Sequence, residues 1–133
     1  MERQMVVGFS APALDLLTDT LSLEKYLGLS PNRSMFLEME GDAMLDANIA
    51  PGDIVIVERT TQAKPGQIVA TAIDGKYVIR YLARDRMGNY LVAANANLQP
   101  LRPTSSLTVV GVVVGLIRKV LNALGGNKKA VRQ

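Results

Sequence analysis

Between residues 35 and 117 the chain is cut into six short runs rich in Val, Ile, Leu and Tyr: MFLEM, DIVIVE, QIVATAI, YVIRYL, NYLVAA and LTVVGVVVGLI. These residue types suit a pleated, half-buried surface, so each run predicts a strand. The residues between the runs say how they connect. Pro51-Gly52-Asp53 and Lys64-Pro65-Gly66 punctuate the early runs. Asp74-Gly75 joins two runs through two residues, a strong hairpin signal, because a type I′ turn needs positive φ at both central positions. Met87-Gly88-Asn89 is expected to close the next hairpin. Six close-spaced strands with little helix predict a mainly β domain of barrel or folded-sheet type, and no internal repeat is evident.

Ahead of residue 35 the pattern changes. Ser22 can cap a short helix over Leu23 to Leu27 with Gly28 as its stop. Gly8 to Leu21 carry no clean period and read as an extended arm. The expected division is an arm and short helix at 1–34, a β domain at 35–120 and a basic C-terminal tail at 121–133, where Lys128, Lys129 and Arg132 hold part of the net charge of +3. A solvated tail is the plain reading of that charge, and no direct nucleic-acid binding is expected from it. At 133 residues the chain suits one compact domain. No apolar run approaches the roughly 20 residues of a membrane-spanning helix, and the opening MERQMVVGFSAPALDLL lacks the run of a signal peptide; the expected location is cytoplasmic, with no membrane partner.

The chain has no Cys and no His. That removes disulfides, thiol nucleophiles, imidazole proton relays and zinc sites of the usual N and S ligands, and leaves Ser, Thr, Lys, Asp, Glu and Tyr as possible catalysts. Against that background the stretch EMEGDAMLDANIAPGDIVIVE, residues 38–58, has the form of an active-site turn. Gly41-Asp42-Ala43-Met44 follows a strand, and a small residue beside Gly41 is expected to be accessible, with backbone N–H groups free to face a carbonyl. A serine at 43 would be placed as a nucleophile, but alanine has no hydroxyl.

The residues Phe36 to Asp53, FLEMEGDAMLDANIAPGD, resemble the Gly-Asp-Ser-Met region of the LexA/UmuD group of self-cleaving serine peptidases, the S24 peptidase family. GFSAPALDLLTDTLSLEKYLGLSPNRS is similar to the mature start of UmuD proteins, the strands around Asp74-Gly75 to the family's paired strands, and LTVVGVVVGLIRKV to its closing strand. The resemblance covers about Val7 to Val120. It implies a folded β-sheet of the LexA/signal-peptidase type, and a lysine base on the strand after the Asp-Gly turn, kept neutral by burial. The matching residue is Arg80, whose guanidinium stays protonated and cannot accept the proton. Both halves of the dyad, Ala43 and Arg80, are therefore degenerate. Val7-Gly8 matches the family's scissile bond, although valine is bulkier than the usual residue there.

The resemblance further implies a homodimer that serves as accessory subunit of an error-prone, UmuC-like Y-family DNA polymerase in the SOS response to DNA damage, with contact to a recombinase filament left open. The dimer is expected to use the last long strand as a sheet-edge strand, through Val109, Val112 and Val114, with Phe9 of the arm in a groove. Two alternatives stand beside this reading: a self-cleaving peptidase in an inactive Ser-to-Ala form, and the C-terminal dimerisation domain of a LexA-like or phage repressor. No cofactor is implied. Other residues are weaker candidates. Lys76 reads as a solvated charge at a turn, and Ser34, Ser105 and Ser106 as loop hydroxyls. Asp42, Asp46 and Asp53 read as turn carboxylates, with no metal site expected.

Overall fold

The computed structural model describes residues 23–104 and 107–120. The arm, Val7-Gly8, Phe9, Ser22, Ser105, Ser106 and the tail lie outside them. A five-residue helix, α1 (Leu23–Leu27), ends at Gly28, whose φ of 75° is the left-handed stop the sequence predicts. A 3-10 turn at Pro31–Arg33 leads into the first strand. The strands are β1 (Ser34–Glu38), β2 (Ile54–Arg59), β3 (Ile68–Ile73), β4 (Lys76–Asp85), β5 (Gly88–Val92) and β6 (Thr108–Ile117). Each of the six apolar runs becomes one strand. No helix among the described residues is long and apolar enough to cross a membrane.

All pairings are antiparallel, in one sheet of order β1-β2-β6-β3-β4-β5. Asp74 and Gly75 have φ of 51° and 78°, both positive, as a type I′ turn requires, and they close the β3-β4 hairpin at Ile73 and Lys76. The next hairpin closes at Asp85 and Gly88, so its turn is Arg86-Met87, one residue earlier than expected. Gly88 is already the first residue of β5, and the Asp85 carboxylate accepts from the Met87 N–H at 2.9 Å.

The expectation that β6 lies at a sheet edge is corrected by this topology. β6 sits between β2 and β3, and the edges are β1 and β5. Its long apolar run is that of a strand flanked on both sides, with residues of both faces packed. Two bulges fit it there: Val114 is passed over in the pairing with β2 and Val110 in the pairing with β3. The Val110 carbonyl accepts instead from the Thr60 N–H at 3.1 Å. At Gly111 the two strands come so close that a Cβ would overlap the Glu58 carbonyl oxygen and crowd Val57.

Alternation puts two apolar sets on opposite faces of the sheet. Val55, Val57, Ala70 and Ile79 form one core with Met39, Met44 and Ile49 from the segment between β1 and β2. Val69, Leu82 and Leu91 form the other, with Val78, Val109 and Val112 packed against them. The first core positions the candidate site, because its lid is the segment that carries Gly41 to Met44.

Candidate functional site

The segment from Met39 to Asp53 is held at both ends by backbone and by one ion pair. Met39 donates its N–H to the Asp53 carbonyl at 2.7 Å and accepts from the Gly52 N–H at 2.9 Å, which closes the segment into a loop. Gly41 turns the chain with φ of 78°, and Asn48, at φ of 63°, ends a single 3-10 turn at Leu45–Ala47. Met44 is completely buried, and that side chain anchors the turn to the core. Burying it contributes about 1.5–3 kcal/mol.

Asp53 is 2% exposed, yet it is charged. Arg118, just past β6, donates Nε to its Oδ1 at 2.8 Å and a terminal nitrogen to its Oδ2 at 2.6 Å, a two-pronged carboxylate clamp. The Ala50 N–H donates to Oδ2 at 2.8 Å, and Arg118 also donates to the Asn48 carbonyl at 2.9 Å. These bonds, that to Arg118 first, hold the Asp53 carboxyl down at about 2 against an ordinary 3.8, and Arg118 is correspondingly raised. The clamp ties the end of β6 to the loop that carries the site. Sequence reading missed Arg118; its only signal was a cation directly after the last apolar run.

Ala43 is 5% exposed, which corrects the expectation of an accessible side chain. The loop after β5 covers the turn: Asn95 donates its side-chain amide to the Asp42 carbonyl at 2.9 Å, and Asp46 donates its N–H to the Ala94 carbonyl at 2.8 Å. The N–H groups of Ala43 and Met44 make no bond to an acceptor among the described residues, so two donors beside position 43 remain for a carbonyl oxygen.

Arg80 lies on β4 opposite Val69 of β3. A cleft of about 400 Å³ runs between Leu37–Glu40 on one side and Lys76–Arg80 on the other. Glu40 and Arg80 both line it, and Met44 and Ile79, the chain neighbours of positions 43 and 80, share one core. The fold thus brings positions 43 and 80 into one region. Burial pulls the Arg80 pKa below the ordinary arginine value. It still carries its charge at any ordinary pH, and its one hydrogen bond among the described residues goes to the Ile79 carbonyl at 2.8 Å. Neither a hydroxyl at 43 nor a proton acceptor at 80 is present.

The remaining candidates are dispersed. Lys76 is exposed at the hairpin end and lines the same cleft. Asp42 and Asp46 are exposed while Asp53 is engaged with Arg118, and no group of three metal-ligating side chains occurs among the described residues. Val109 and Val112 pack on the second core, and Val114 is half-buried beside Arg33 and Glu58, which form an ion pair at 3.6 Å.

Residues 1–114 match the family described as Peptidase S24-like. The LexA repressor of Carboxydothermus hydrogenoformans is 26% identical over 118 residues, covering 86% of this chain and 57% of that protein. The LexA repressor of Alcanivorax borkumensis is 34% identical over 93 residues, 68% of this chain and 46% of the repressor. Protein ImpA of Salmonella typhimurium is 31% identical over 113 residues, 84% of this chain and 77% of that protein. The chain spans about half the length of the LexA repressors it matches.

Proposed function

Because this chain belongs to the Peptidase S24-like family and to its LexA/UmuD-like group, we propose that it works as a UmuD-like accessory subunit of an error-prone Y-family DNA polymerase in the SOS response, by binding and without cutting. The observation that carries the loss of cutting is the coincidence of two changes, at Ala43 in the buried turn and at Arg80 in the cleft beside it. Ala43 lacks an attacking oxygen, and Arg80 cannot take a proton. One replacement would leave half a mechanism; two leave a fixed positive charge in the cleft and, in the turn beside it, two backbone N–H groups with no acceptor among the described residues. The retained turn shapes a peptide-binding surface.

In this reading the protein is a homodimer. With β6 inside the sheet, its contribution comes from the face at Val114 and from the exposed end at Leu116 and Ile117. The polymerase role is tested by mixing the purified protein with a purified Y-family polymerase from the same organism and measuring synthesis across a lesion. A stable complex and increased bypass support the role, and neither complex nor stimulation removes it. A second reading, the dimerisation part of a LexA-like repressor, is favoured by the matches to LexA repressors. A helix-turn-helix upstream in the full gene would decide for it. A serine at position 43 of the wild-type gene would instead make this chain an inactive form of a cutting enzyme.

A further inference from the structure

Charge is divided unevenly along the chain. Residues 34–58 carry six carboxylates and no Lys or Arg, whereas residues 76–102 carry five cations and one carboxylate, Asp85. That carboxylate is engaged: Arg102 donates its two terminal nitrogens to the Asp85 oxygens at 3.2 and 2.5 Å and lies over the Tyr90 ring at 4.3 Å. Arg84 and Arg86, which flank Asp85 at the tip of the β4-β5 hairpin, are thereby left uncompensated, and both are exposed. Arg84 donates Nε to the Asn89 side chain across the hairpin at 2.8 Å, a neutral partner that orients the guanidinium and leaves its charge. The Arg86 side chain makes no hydrogen bond or ion pair among the described residues. Next to it in the turn, Met87 is 82% exposed, the highest value of any large apolar side chain among the described residues. The tip lies four to six residues along β4 from Arg80, about 13–20 Å, outside the cleft.

We propose that this tip is a contact for duplex DNA, with Arg84 and Arg86 on the phosphate backbone and Met87 in the minor groove between them. A guanidinium matches phosphate oxygens with paired donors. A two-stranded ribbon is narrow enough to enter a groove, and apolar side chains, Met among them, act there as wedges at base steps. An acidic protein surface fits less well. The one turn and its flanking arginines present far less than the roughly 800 Å² per partner that a specific protein interface buries, while a phosphate contact needs only a few cations on a projecting element. The bonds of Asp85 to Arg102 and to the Met87 N–H, with that of Arg84 to Asn89, hold the tip in one shape, so little freedom is lost on contact. The sheet order sets the acidic β1-β2 pair and the basic β4-β5 pair at opposite edges, an asymmetry that steers the basic edge toward a polyanion. This binding stands apart from the polymerase role, because it is a property of the chain alone.

Fluorescence anisotropy of a labelled DNA duplex titrated with the full chain tests it. Binding independent of base sequence is expected, with Kd of about 10⁻⁴ to 10⁻⁶ M at physiological salt. Arg84→Gln with Arg86→Gln should weaken it about tenfold and flatten the plot of log K against log salt by about 1.8, that is about 0.9 for each phosphate contact. Met87→Ala should weaken it about fivefold with the slope unchanged, as burial of part of a Met side chain implies. Arg86→Gln alone changes a side chain without a partner in the fold, so its expected flattening of about 0.9 decides the matter if Arg84→Gln loosens the hairpin. Replacing Lys128, Lys129 and Arg132 of the tail by Gln should leave the hairpin effects in place. No binding, an unchanged slope in the arginine variants, unchanged affinity in Met87→Ala, or hairpin effects that vanish with the tail charges would each overturn the proposal. Displacement of the duplex by polyglutamate of equal charge would assign the tip to an acidic protein and overturn it as well. Failure of the polymerase role looks different: complex and bypass are absent while the duplex binds as before.

Discussion

Asp53 links the site loop to the end of β6 through a charge that water scarcely reaches. Its pKa, about 2 in the folded chain against 3.8, sets the sign of a pH effect. A group lowered on folding adds stability that is present above its unfolded value and is lost as the pH falls through the folded one. Asp53→Asn should therefore lower Tm at pH 7, and the gap to the wild type should close between roughly pH 4 and pH 2. Thermal melts of both proteins across that range check this. Asp85, lowered by Arg102, acts in the same direction in both proteins and cancels in the comparison. Met44→Ala should cost about 2–5 kcal/mol in denaturant melts, the usual cost of emptying a buried Met position. Positions 43 and 80 could be singled out from the sequence because their motifs are local. Arg118 was not, since it stands 65 residues from Asp53 and only the fold joins them. The burial of Ala43 was hidden for the same reason, because Asn95 comes from 53 residues past Asp42.

At the scale of elements, existence and type were readable, and neighbours were not. Hairpins such as β3-β4 declare themselves through two turn residues, whereas the place of β6 between β2 and β3 depends on contacts far apart in the chain. The apolar run in β6 carried the hint, for a strand packed on both faces needs apolar residues at consecutive positions. Gly111 marks the tightest point of that arrangement. Gly111→Ala would force a methyl into the Glu58 carbonyl and is expected to cost at least about 1–3 kcal/mol, read as a lower denaturation midpoint at unchanged slope. A normal midpoint would mean that β2 and β6 are not so closely apposed.

For the molecule as a whole, the dimer and the proposed absence of cutting make separate claims. Leu116→Asp with Ile117→Asp is expected to give a monomer by sedimentation with unchanged circular dichroism, because both residues are exposed where β6 meets solvent. The proposed absence of cutting depends on Arg80 as much as on Ala43. The most direct measurement is the intact mass of the unmodified chain and of Ala43→Ser, incubated from pH 7 to 10, a range in which a lysine base would be freed of its proton and a guanidinium would not. Both are predicted to keep the mass of all 133 residues. A product beginning at Gly8 from either protein would contradict the account.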